Sequence, residues 1–338
     1  MYSFRNDYSE GALPQVLDAL VRTNLESTCG YGRDNYCQQA EQTILTRFAC
    51  PQAQVHFLVG GTQTNFTAIT AFLRPWEAVI AAKTAHIAVH ETGSVEARGH
   101  KVYCVEAPEG KLTPEIIQQA VQDHQGGDPE HMVLPRLVYL SQATELGTVY
   151  TRQELTRIFE TCRQLNLLLF VDGARLAAGL AASDLEPEDL PKLCDAFYLG
   201  GTKTGLLFGE ALVIVNPQLQ PYFRHVMKQS GAILAKGRLL GIQFQALLED
   251  DLWLTVGQRE NRMAAKLAQG FVQAGYQLYV NSPTNQVFVI LPIQKAQTLE
   301  ADFSFEYSAP IDSQHNVYRF VTSWATQEQW ITALLQAL

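Results

Sequence analysis

Between Val55 and Val215, short apolar runs alternate with longer amphipathic ones, and this alternation constrains the fold more than any other feature of the chain. VHFLVG (55–60), HKVYCVE (100–106), PRLVYLSQ (135–142), NLLLFVD (166–172) and DAFYLGG (195–201) have strand length and leave little room for a solvent-facing side. Between them, TQTNFTAITAFL (62–73), TPEIIQQAVQDH (113–124) and TRQELTRIFETCRQL (151–165) carry helical spacing and open on threonines suited to capping. Strands alternating with helices predict an α/β fold: a mostly parallel sheet covered by helices on both faces. The order then changes. Two long helical patterns, GAILAKGRLLGIQFQALLED and TVGQRENRMAAKLAQGFVQAGY, precede the short strands QVFVILP and VYRFVTS and a closing helix near 326–336. The chain therefore divides into a large domain, 1–245, and a smaller C-terminal α/β domain, 246–338. GGDPEHMVLP (126–135) reads as a surface loop from its Gly, Pro and acidic content.

In an open α/β sheet, ligands sit beyond the carboxyl ends of the strands. Three polar groups fall there. GGTQTN (60–65) joins a strand to a helix, so free backbone N–H groups could cradle a phosphate, although a plain turn with a threonine cap has the same look. VDGAR (171–175) ends an apolar strand on Asp172, which could hold a protonated ring nitrogen or simply cap the next helix. YLGGTKTG (198–205) sets Lys203 in a Gly- and Thr-rich turn, where partial burial would favour a neutral, nucleophilic amine; a surface lysine is the plain alternative. The spacing fits neither GxGxxG nor GxxxxGK[ST], so neither a dinucleotide site nor a P-loop is indicated.

Composition bounds the partners. Lys plus Arg number 25 against 34 Asp plus Glu, and the net charge of −9 disfavours nucleic acid and anionic membrane as bulk partners. The opening MYSFRNDYSE shows no basic segment running into an apolar one, so no signal peptide is expected. The longest apolar run, near Leu165 to Val171, is far too short to cross a membrane. Cys29, Cys37, Cys50, Cys104, Cys162 and Cys194 lack CxxC or metal-like spacing, which predicts reduced thiols in a cytoplasmic protein and no zinc site.

Phosphate turn, histidine, Asp and Lys, in this order, resemble the threonine aldolase/β-eliminating lyase family of fold-type-I pyridoxal 5′-phosphate (PLP) enzymes. The resemblance runs from FRND (4–7) to VYRFVTSW (317–324), and DGAR followed by GGTK is its most specific part. It implies PLP as cofactor, with Lys203 as the Schiff-base lysine and Gly61 and Thr62 on the phosphate. It further implies that His86, in TAHIAVHETG, stacks on the pyridine ring, that Asp172 pairs with the ring nitrogen, and that Arg175 lies near the phenolic oxygen or the substrate carboxylate. Arg319 would clamp that carboxylate with Asn6. Lys228 would reach a neighbouring subunit's phosphate, in a homodimer or homotetramer. Two positions depart from the family pattern: Asn6 replaces a serine, and LSQATELGT (140–148) has Thr144 where relatives carry a second active-site histidine.

The activity so implied is cleavage of a β-hydroxy-α-amino acid, such as threonine or allo-threonine, to glycine and an aldehyde. β-Elimination or amino transfer on another amino acid would use the same cofactor groups. Without the second histidine, His86 is read as the base for the β-hydroxyl proton and Glu145 as its competitor. His90 is read as structural. A regulatory or binding module built on this fold is disfavoured, because Lys203, Asp172 and Arg319 all remain.

Overall fold

The computed structural model describes residues 1–126 and 128–338; the predicted loop 126–135 therefore falls partly outside the described residues, at Gly127. A short strand β1 (Tyr2–Ser3) opens the chain. The large sheet is built from β2 (Gln54–Leu58), β3 (Glu77–Ala82), β4 (Lys101–Val105), β5 (Leu134–Ser141), β6 (Leu168–Asp172), β7 (Ala196–Gly200) and β8 (Glu210–Ile214). Their spatial order is β2-β8-β7-β6-β5-β3-β4. From β4 through β7 every pairing is parallel; β8 alone runs against its two neighbours. Every residue of β3, β6, β7 and β8 is buried, as strands covered on both faces must be. The runs Glu77–Ala82 and Glu210–Ile214 complete the sheet, although neither stands out as a strand in the sequence.

Helix starts follow local chemistry. Thr151 and Glu154 form a reciprocal capping box at Arg152–Gln164, and Thr113 caps Pro114–Gln122. The helix after β2 behaves differently: it begins at Gly61, with Gly60 as an N-cap that offers no side chain, rather than on the expected threonine. Its first backbone N–H groups thus lack a side-chain cap and face the carboxyl edge of the sheet. The predicted helix over GAILAKGRLLGIQFQALLED is also shorter, Arg238–Leu248. Gly231 has φ +68°, and a Cβ on Gly237 would come within 2.5 Å of the Gly32 backbone nitrogen, so that stretch turns instead.

The smaller sheet comprises β9 (Gln277–Leu278), β10 (Gln286–Pro292), β12 (Glu306–Pro310) and β13 (His315–Val321), in antiparallel order β12-β13-β10-β9. The short β11 (Phe303–Ser304) pairs in parallel with β1. Core packing changes over inside the helix Leu252–Gln273, later than the expected junction near 245: Trp253 and Val256 join the large core, and Met263, Leu267 and Phe271 the small one. Phe4, fully buried, belongs to the small core, and burial of such a ring is worth about 1.5–3 kcal/mol. Phe4 O also accepts from Val321 N at 2.7 Å, and this anchoring carries residues 5–8 across to the sheet edge.

Candidate active site

Asp172, the last residue of β6, sits at that edge almost without solvent exposure. Its Oδ1 accepts from Tyr198 Oη (2.5 Å) and from the Ala174 N–H (2.9 Å). Its Oδ2 accepts from Asn65 Nδ2 (3.1 Å) and from the Tyr139 hydroxyl. Burial, and then the Asp172 charge, push both phenols well above the ordinary tyrosine range, so they act as donors. A buried carboxylate is tolerable only with such partners. Asn65 extends the network: the same Nδ2 donates to Glu91 Oε1 (2.8 Å), which also meets His86 Nδ1 at 2.8 Å. Ser94 Oγ donates to Glu91 Oε2 (2.7 Å). A chain of hydrogen bonds therefore joins Asp172 to His86.

Lys203 lies just beyond β7, in the turn Thr202–Thr204. Burial, and then the nearby Arg175 guanidinium, lower its pKa, while Asp7, Asp172 and Glu210 oppose them. Glu210 is pushed up to about 8, chiefly by burial, and accepts from Thr202 Oγ1 (2.8 Å) and the Gly201 N–H (3.0 Å). Arg175 makes a two-pronged ion pair with buried Asp7, Nε at 2.7 Å and Nη2 at 3.1 Å. Burial alone would raise the Asp7 carboxyl, but Arg175 and Lys203 hold it below the usual carboxylate range. Removing one member of such a pair typically costs about 3–5 kcal/mol.

These groups line an inner cavity of about 310 Å³ that includes Gly61, Thr62, Asp172 and Glu210. An outer cavity of about 620 Å³ adds Lys83, Phe288, Glu306, Tyr307 and Arg319. Tyr8, His86, His90, Glu145, Arg175 and Lys203 border both. Gly61 is needed for close approach, since a Cβ there would lie 3.1 Å from Tyr198 Oη. The uncapped helix N-terminus suits an anion, Asp172 a protonated ring nitrogen, the partly exposed His86 ring an aromatic face, and Lys203 a carbonyl carbon. The chemistry of this donor set fits one planar, phosphorylated aldehyde.

The structure thus brings together Gly61, Thr62, His86, Asp172, Arg175, Lys203 and, across the outer cavity, Arg319. Arg319 is held by Glu306, its neighbour across the β12–β13 ladder, and its Nη1 reaches Gln286 Oε1 at 3.4 Å. Asn6 is not among the residues lining either cavity. Its Oδ1 accepts from the Tyr8 N–H (3.0 Å) and Ser9 Oγ (2.9 Å), and this local turn puts Tyr8 into the wall instead. Lys228 lies elsewhere, in a surface cavity with Arg33, Arg224 and His225, its Nζ 5.2 Å from the Tyr31 ring centroid. Thr144 is buried and paired with Thr148 Oγ1 at 2.7 Å, while Glu145 faces the cavity. Glu145 Oε1 accepts from Ser141 Oγ (2.7 Å) and the His86 N–H (2.9 Å), yet burial still raises its pKa.

Sequence reasoning does not anticipate His90, Asn65, Glu91, Asp7, Tyr139 and Tyr198 in these positions. For His90 the sequence does hold a signal: four residues after His86, it comes round to the same side of a helical turn.

A mostly parallel sheet with lysine, carboxylate and helix N-terminus gathered at one edge defines a fold-type-I PLP-dependent enzyme architecture. Aspartate aminotransferase of Thermus thermophilus shares this fold at 14% identity, with a TM-score of 0.71 over 100% of this chain and 90% of its own. A family model described as beta-eliminating lyase matches residues 4–294. Low specificity L-threonine aldolase of Pseudomonas aeruginosa is 33% identical over 303 residues, 88% of this chain and 86% of its own. The solved structure of Leishmania major threonine aldolase is 45% identical, with a TM-score of 0.97 over 99% of this chain and 98% of that one. The chain belongs to the β-eliminating lyase family.

Proposed function

We propose that this chain is a PLP-dependent aldehyde-lyase that cleaves L-threonine, L-allo-threonine or a related β-hydroxy-α-amino acid to glycine and an aldehyde. The observation that carries this reading is the shared wall between the two cavities. Lys203 and His86 border both cavities, with Asp172 on the inner one and Arg319 on the outer one. Lys203 would hold the aldehyde carbon of PLP, Asp172 the ring nitrogen, His86 a ring face, and Gly61 and Thr62 the phosphate. When bound, PLP supplies an electron sink for the pair released as Cα–Cβ breaks. The chain's own residues do the rest. A lowered pKa leaves a larger share of Lys203 as the free amine. Arg319 offers a planar fork for the substrate carboxylate, and Arg175, fixed by Asp7, adds positive charge beside Lys203. Phe288, Leu146 and Tyr307 line the outer cavity where the aldehyde side chain would lie, a broad surface consistent with loose side-chain selection.

Lys228 stands apart from its own chain's cavity, so its expected phosphate contact would serve a neighbouring copy, and a homodimer or homotetramer belongs to the same reading. So does a cytoplasmic setting. All six cysteines are unpaired, and no helix among the described residues is long and apolar enough to cross a membrane.

The test is product analysis with PLP supplied, followed by borohydride reduction. Glycine and acetaldehyde should form from threonine, and the reduced cofactor should be found on Lys203. Pyruvate and ammonia as the main products, or an adduct on a different lysine, would overturn the assignment.

A further inference from the structure

We propose that His90 is the base that takes the β-hydroxyl proton of the substrate, a role that rests on the aldol-cleavage reading above. His86 opens the short helix His86–Val89 and His90 closes it as C-cap, so the two imidazoles emerge on one side. Their centroids are 5.5 Å apart, with ring planes inclined by 50°. The two rings differ in what they are free to do. His86 Nδ1 is tied to Glu91, which Asn65 and Ser94 hold in turn. An imidazole so anchored, with its face given to a cofactor ring, has little freedom to follow a substrate hydroxyl. No hydrogen bond to the His90 ring occurs among the described residues, and the ring borders both the inner cavity, with Lys203 and Asp172, and the outer one, with Arg319.

The charges around His90 favour the neutral ring. Partial burial against the cavity wall, and then His86, Arg319 and Lys203, lower its pKa from the usual histidine value, while Glu306 opposes them. Near neutral pH it therefore carries a lone pair ready to accept a proton. The other candidates are poorly placed for the task. Thr144 turns away to Thr148. Glu145 already accepts from Ser141 and His86, and burial biases it towards the protonated form. In the step itself, a His90 ring nitrogen takes the hydroxyl proton and the O–H pair becomes the second C=O bond of the departing aldehyde. The Cα–Cβ pair is left at the glycine carbon, where bound PLP would supply the electron sink. A proton from solvent later completes glycine, and His90, open to solvent at the cavity mouth, returns its own.

The experiment compares holoenzyme carrying His90→Phe and His90→Gln with the wild type. Threonine cleavage should fall by about 10²–10⁴-fold, the usual loss for a general base. Glycine affinity by calorimetry, and exchange of the glycine α-proton with deuterated solvent, should stay within a few-fold, because neither involves a β-hydroxyl. Carbon-13 NMR of ring-labelled protein should show His90 titrating below the ordinary histidine range, and the acid limb of kcat/KM should follow that titration and vanish in His90→Gln. Added imidazole should partly restore threonine cleavage in His90→Ala. The role is overturned if both variants cleave threonine within a few-fold of wild type, or if glycine exchange falls as far as cleavage does. A wild-type enzyme that does not cleave threonine or its relatives fails on the function instead, so the two failures are distinguishable.

Discussion

The two walls of the central cavity are built on opposite plans. On the large-domain side, Asp172 sits at the end of a fully buried strand and accepts from four donors drawn from the flanking helix, two neighbouring strands and its own turn. All four donors are in place before any ligand arrives. On the small-domain side, Arg319 lies on β13 and is already paired with a carboxylate of its own chain, Glu306. If Arg319 takes the substrate carboxylate, as proposed, binding there exchanges one anion for another. A site that keeps its cofactor through every turnover gains from rigidity. A site that takes in and releases amino acids each cycle gains from a partner that can be displaced.

The contrast can be broken most directly at Asp172. Asp172→Asn keeps the shape but removes the charge, and its amide nitrogen must face hydroxyl or amide donors that cannot all turn round. Glycine release under saturating PLP should drop by about 10²–10³-fold or more, as when one preorganised charged group is removed from a reacting centre. A kcat within ten-fold of wild type would show that the buried network is scaffold alone. Arg319→Lys should act differently, since an ammonium cannot reproduce the planar fork. The loss should be about 1.5–3 kcal/mol, roughly 10- to 150-fold in kcat/KM, and should fall mainly on KM with cofactor binding unchanged. A loss confined to kcat would place Arg319 at the reacting atoms rather than on the carboxylate.

The same division decides how much was legible in the sequence. The large-domain side is readable because parallel strands buried on both faces make continuous apolar runs, and the residues directly after such a run stand at the carboxyl edge of the sheet. Asp172, Lys203 and the Gly60–Gly61 turn all announced themselves in that way. Their supports did not. Tyr139 and Tyr198 look like ordinary strand residues, and Asn65 like any helix residue; only the sheet order β7-β6-β5 brings both phenols to one carboxylate. Asp7 and Tyr8 reach the site because Phe4 is anchored in a core formed more than two hundred residues later. Asn6 stands outside the cavity lining for a related reason: in a tight turn, neighbouring residues point in different directions, and its Oδ1 accepts from Tyr8 and Ser9. Glu306 was missed because antiparallel register, not spacing along the chain, sets it opposite Arg319.

The sharpest test of the comparison is also the smallest in size, Glu306→Gln. If Glu306 only holds the place that a substrate carboxylate takes, neutralising it leaves Arg319 unpaired and removes a negative charge that repels the incoming anion. The Arg319 and Glu306 side chains are 20% and 31% exposed, so water screens the pair and its worth is about 0.2–1 kcal/mol. KM for threonine should therefore fall by about 1.5- to 5-fold, with kcat unchanged, and the gain should shrink as ionic strength rises. Arg5, whose Nε lies 3.5 Å from the other Glu306 oxygen, is 63% exposed and should add little to the change. A rise in KM would mean the reverse: that Glu306 aims the guanidinium, as Asp7 does for Arg175, and that both walls are equally preorganised. Salt separates the cases again. Screening cannot restore the aim of a guanidinium that has no carboxylate to hold it, whereas wild-type KM should drift towards the variant's if Glu306 is a competitor.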